Sequence, residues 1–146
     1  MRTVPSLAVA ATLVVSLAAA CGGATPPARD GRADPQYDSL CAGVAPEDQA
    51  RCPMAWVKSV EDVEGGIVMH LDANAPAPPE LEKRMKCHRA WMAHDPKNEM
   101  PGCPLGSPGI AISTSAGAQG SDLKLVATTE ADVAEVRRRT HARFDK

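Results

Sequence analysis

From Cys52 to Phe144 the apolar positions run through two similar successions, each opening on Cys-Pro and a hydrophobe: Cys52-Pro53-Met54 and Cys103-Pro104-Leu105. In the first, Val57 to Asp62 predicts a short strand, and Glu64-Gly65-Gly66 supplies the permissive backbone that a hairpin turn needs. Ile67, Met69 and Leu71 then alternate with Val68, His70 and Asp72, the period of a strand with one buried face. Pro76, Pro78 and Pro79 interrupt the chain, and Pro79 suits the first turn of a helix. Glu80 to Ala93 has the helical period, with Leu81, Met85, His88 and Met92 on one stripe. Glu80 and Glu82 near its start and Lys86, Arg89 and His94 towards its end complement the helix dipole. Asp95-Pro96 ends it, because proline disfavours helix in the residue before it.

The second succession repeats this order. Ile110 to Thr114 predicts a strand, Ala116 to Ser121 a small-residue loop, and Leu123, Leu125 and Ala127 the alternation of a second strand. Thr129 followed by Asp132 has the spacing of a capping box. Val133, Val136, Thr140 and Phe144 mark the stripe of a closing helix, with Arg137-Arg138-Arg139 largely off it on a solvated face. The expected fold class is α+β. Two tandem ββα repeats, about 52–94 and 103–144, would form a four-stranded sheet with both helices on one face, a permuted ferredoxin-like arrangement. Alternation leaves Val68, His70, Lys124 and Val126 on the open face.

With 146 residues there is room for one modest domain, assigned to 41–146, with a turn or short helix at Pro46-Glu47-Asp48. Acidic and basic residues are interspersed at a net charge of -2, which argues against a nucleic-acid partner. One Phe, one Tyr and two Trp leave the core to Val, Ile, Leu, Met and Ala.

The N-terminus changes the picture. Arg2 is followed by an uncharged apolar run, Leu7 to Ala20, shorter than the about 20 residues of a membrane span. It has the length and small-residue ending of a secretory h-region, a signal peptide over residues 1–20. Ser16-Leu17-Ala18-Ala19-Ala20-Cys21 resembles the lipobox of bacterial lipoproteins, although Ala18 stands where leucine is usual. That resemblance implies lipidation of Cys21 and a membrane anchor in the bacterial cell envelope. With Gly22 next, it implies the outer membrane, facing the periplasm or the cell surface. Residues 21–40 contain Thr25-Pro26-Pro27, Gly31 and Asp34-Pro35 and little large apolar surface. From Gly22 to about Leu40 they read as a flexible tether of about 19 residues with a reach of roughly 25 Å.

Beyond Cys21 there are four cysteines, Cys41, Cys52, Cys87 and Cys103. In a small exported domain an even number reads first as two disulfide bonds, with three possible pairings. The hairpin topology puts the starts of the two leading strands at opposite ends of the sheet. It therefore argues against Cys52–Cys103 and for Cys87–Cys103 with Cys41–Cys52. The alternative is a copper or zinc site drawn from Cys87, His88, His94 and Cys103, with Met92 and Met100 nearby in sequence. The helical period puts Cys87, Trp91 and His94 on one edge but His88 and Met92 on the buried stripe, so one ion cannot take them all.

No Gly-x-Ser-x-Gly turn, His-Glu-x-x-His pair or phosphate-cradling glycine loop occurs, and no enzyme activity is expected. The sequence favours a non-catalytic lipoprotein domain that binds another envelope component, a protein or a ligand, through the open sheet face. Metal binding through the 87–103 segment is the alternative, and a thiol redox role is a third reading.

Overall fold

The computed structural model describes residues 35–145. The residues read from sequence as signal peptide, lipidated Cys21 and tether, as far as residue 34, lie outside the described residues. The fold is α+β, with a four-stranded antiparallel sheet and two main helices.

Two short helices, α1 (Pro35–Cys41) and α2 (Pro46–Gln49), precede β1 (Val57–Val63) and β2 (Gly66–Leu71). Helix α3 (Pro78–His94) follows, then β3 (Ile110–Ala116), β4 (Ser121–Ala127) and α4 (Glu130–Phe144). A hairpin joins β1 to β2, with Gly65 at φ 75°, a left-handed conformation that side chains rarely adopt. Strand order is β1-β2-β4-β3, so β2 and β4 form the antiparallel centre.

Alternation decides the buried face. Ile67, Met69 and Leu71 of β2 and Leu123 and Leu125 of β4 are at most 1% exposed. Leu81, Met85 and Met92 of α3 and Val136 of α4 join them in one core. Helix α3 begins with Pro78 and Pro79 and has no side-chain cap, and it stops where Asp95, extended at φ -130° and ψ 127°, precedes Pro96. At α4 the Thr129 hydroxyl accepts from the Asp132 amide. The same hydroxyl donates to the Asp132 carboxylate, which takes it in place of the backbone N–H of a full capping box. Phe144, expected on the apolar stripe, is exposed, and the stripe's buried part is Val136 and Thr140.

Two features differ from the sequence reading. Helix α1 occupies residues assigned to the tether, because Tyr37 is anchored there. Its ring stacks on His94 with centroids 4.3 Å apart, and its hydroxyl bonds Gln49 Oε1 at 2.6 Å. The arginine run is only partly a solvated face. Arg137 donates to the carbonyls of Val63 and Gly66, tying α4 to the β1–β2 turn. Arg138 and Arg139 both pair with Glu135.

The open face carries Val68, His70, Lys124 and Val126 as expected, with Glu61 and Asp122 beside them. It is mixed, and its histidine is already paired. His70 Nδ1 is 2.8 Å from Asp122 and Nε2 is 3.5 Å from Glu61.

Cys41 and Cys87 form a disulfide bond, which fastens α1 to α3. This overturns the pairing of each with a nearer cysteine. Cys87 lies on the side of α3 that faces Cys41, Val44 and Tyr37 rather than on the side that faces the loop after the helix.

Two outcomes are expected. The 46-residue separation makes Cys41→Ala with Cys87→Ala lower stability by about 4 kcal/mol in the chain-entropy model. A urea-midpoint loss equivalent to less than about 1 kcal/mol would contradict a cross-link of that weight. Separately, Asp122 raises the His70 pKa above its ordinary 6.5. The resulting stability is fully present below that ordinary value and is lost as pH rises through the higher folded value. In His70→Gln this segment of the pH–stability profile should flatten; a profile that keeps the slope would remove His70 as its source.

Candidate metal centre

Cys52 and Cys103 occupy the same local structure, for the same reason. Each precedes a proline and is held extended, at φ -68° and ψ 141° for Cys52 and φ -81° and ψ 124° for Cys103. Each proline then opens a 3-10 turn, Pro53–Ala55 in one case and Pro104–Gly106 in the other. Pro53, Pro104 and Leu105 are buried, which seats both turns against the core.

The two sulfurs lie 3.1 Å apart and are not bonded to each other. The sequence reading excluded this approach. Its premise about the strands holds: β1 starts opposite Leu71 and β3 opposite Ala127, at opposite ends of the central β2–β4 pair. The cysteines are not at the strand starts, however. Val57 follows Cys52 by five positions and Ile110 follows Cys103 by seven. At up to ~3.5 Å per residue the two segments together span at most ~42 Å, so they can meet between strand starts ~20 Å apart even with a 3-10 turn in each.

His88 completes the cluster. It is fully buried on α3, with Nε2 3.5 Å from the Cys103 sulfur. Its Nδ1 lies 2.6 Å from the Gln49 carbonyl oxygen. That oxygen can only accept, so Nδ1 carries a proton and Nε2 is the nitrogen presented to the sulfurs. The Trp91 ring stacks on the imidazole with centroids 5.8 Å apart. The Cys52 and Cys103 sulfurs and a His88 ring nitrogen all lie within 4.8 Å of one another.

Of the metal ligands read from sequence, His88 and Cys103 are brought together. Cys87 and His94 are not. Cys87 is spent in the disulfide bond and His94 stacks on Tyr37. The third member of the cluster, not among the metal candidates read from sequence, is Cys52, and the repeated Cys-Pro signal was the clue to it: the two Cys-Pro turns pack side by side.

The thiols differ although their backbones match. Cys103 is fully buried and Cys52 only partly. The hydrogen bond from Cys103 lowers the Cys52 thiol to about 5, against the opposing cost of burial. Cys103 is pushed well above the ordinary thiol range by the Cys52 sulfur and then by burial. The pair therefore loses its first proton from the side nearer solvent.

Neither a protein-family model, nor a curated protein, nor a solved structure matches this chain.

In metal-free, reduced protein at pH 7, iodoacetamide should modify Cys52 before Cys103, read by peptide mass mapping over time. Equal labelling rates in folded protein would show that the asymmetry of exposure and ionisation does not hold.

Proposed function

We propose that this chain is a lipid-anchored protein of the bacterial cell envelope whose folded part binds a zinc ion through Cys52, His88 and Cys103. The observation that carries the reading is the setting of His88. A metal-ligating histidine typically donates its second ring nitrogen to a carbonyl or carboxylate, which fixes the ring. The Nδ1–H of His88 has that partner in Gln49, and Nε2 faces two sulfurs.

Charge supports a divalent ion. Two thiolates and a neutral imidazole around Zn²⁺ sum to zero, whereas monovalent copper would leave a net negative charge in a largely buried site. Distance requires a small adjustment. Two sulfurs at about 2.3 Å from a tetrahedral zinc lie about 3.8 Å apart. Cys52, the less buried of the two, is the one with room to move. Three protein ligands leave a fourth position on the ion. An open fourth position suits an ion exchanged with another envelope component, and no catalytic step is assigned to it.

The anchor rests on the Ser16-to-Cys21 lipobox resemblance. A description of the fold as two tandem ββα units in a permuted ferredoxin-like arrangement is supported by the strand order and by the matching Cys-Pro turns.

A second reading is a Cys52–Cys103 disulfide bond, favoured by the 3.1 Å sulfur separation. It has a cost the first reading lacks. Oxidation removes both thiol protons, and with them every S–H that could reach Nε2 of the fully buried histidine.

Mass spectrometry of the full-length exported protein, purified without chelator, separates them. The metal reading expects a native mass carrying one zinc, and a denatured mass lower by one disulfide bond with two alkylatable thiols. His88→Gln should weaken zinc binding at least tenfold. A metal-free protein with two disulfide bonds and no reactive thiol would overturn it, and bound copper would replace the ion while keeping the site.

A further inference from the structure

A cleft of about 270 Å³ opens between the later half of α3, the Met100–Pro108 segment and α4, and none of the three candidate metal ligands lines it. Its polar lining is Arg89, Ser107, Glu99 and Arg139, and Met92, Met100 and Leu105 supply apolar wall.

The two guanidiniums are held in place but not used up. Arg89 Nη1 donates to the Ile110 carbonyl at 2.5 Å, and among the described residues no carboxylate pairs with this cation. Arg139 donates through Nε to Glu135 at 2.6 Å, which leaves both terminal nitrogens for another partner. Gly106 makes room for one of them: a Cβ there would lie 2.9 Å from Arg139 Nη1. Ser107 is 1% exposed, and its hydroxyl is a buried polar atom with no hydrogen-bond partner among the described residues. Buried hydroxyls are nearly always bonded, so an unpartnered one in the wall of a cleft points to a group the cleft receives.

The charges limit what that group is. Glu135 is shared between Arg138 and Arg139 and Glu99 stands at the rim, so with Arg89 three cations meet two carboxylates, an excess of about one. A monoanion is matched there, whereas a phosphate dianion would meet uncompensated carboxylates. Planar guanidiniums favour the paired oxygens of a carboxylate, and the thioether and leucine walls favour carbon beside it. We propose that this cleft binds a small carboxylate bearing a short apolar body, with Arg89 and Arg139 on the carboxylate and Met92, Met100 and Leu105 on the body.

The test is titration of the full-length folded protein with acetate, butyrate, N-acetyl-leucine, N-acetyl-leucinamide and inorganic phosphate. Binding is followed by calorimetry and by the amide signals of Gly106 and Ser107. Butyrate should bind more tightly than acetate, and N-acetyl-leucine should bind where its amide does not. N-acetyl-leucine well above butyrate assigns a peptide C-terminus as the source of the carboxylate, and parity assigns a free organic acid. Arg89→Gln and Arg139→Gln should each weaken butyrate at least tenfold, provided the thermal midpoint and the amide spectrum outside the cleft stay those of the parent. No shift of the Gly106 and Ser107 signals with any carboxylate overturns the proposal. So does binding undiminished in both variants, or phosphate bound as well as butyrate.

Discussion

Neighbouring residues on a helix point about 100° apart, and that separation at Cys87 and His88 organises the centre of this molecule. Cys87 turns to Cys41 and takes a covalent bond, while His88 turns into the core toward Cys52 and Cys103. The two directions are linked through the N-terminal arm. The disulfide bond holds α1 against α3, Tyr37 bonds Gln49 from α1, and the Gln49 carbonyl fixes the His88 ring. The orientation of a buried imidazole thus depends on a cross-link made by the residue beside it.

The regular elements were legible because their signals are local. Alternation at Ile67, Met69 and Leu71 and at Leu123, Leu125 and Ala127 identified the buried strand face, and proline marked where α3 starts and stops. Helix α1 was not legible. It is held by the Tyr37 ring meeting His94 and Gln49 and by the Cys41–Cys87 bond, all to partners more than ten residues away, and nothing local announces those contacts.

The site was half legible. His88 and Cys103 were singled out by residue type, but Cys87 and His94 were grouped with them because proximity in sequence stood in for proximity in space. The positions of the cysteines depend on the paths of the segments ahead of β1 and β3, and no periodic pattern encodes those paths. The repeated Cys-Pro signal did carry information: both copies form the same extended cysteine and 3-10 turn, and the two meet at their sulfurs.

The Cys41–Cys87 bond also sets the route that mechanical load takes. A pull between the two ends of the described segment enters α3 directly through the sulfur bridge, so the chain between the two cysteines carries none of it. That shunted stretch, including all of β1 and β2, would otherwise add extension on the order of 150 Å when drawn out. Tension along the covalent chain therefore reaches β3, β4 and α4, and reaches the first hairpin only through the non-covalent pairing of β2 with β4.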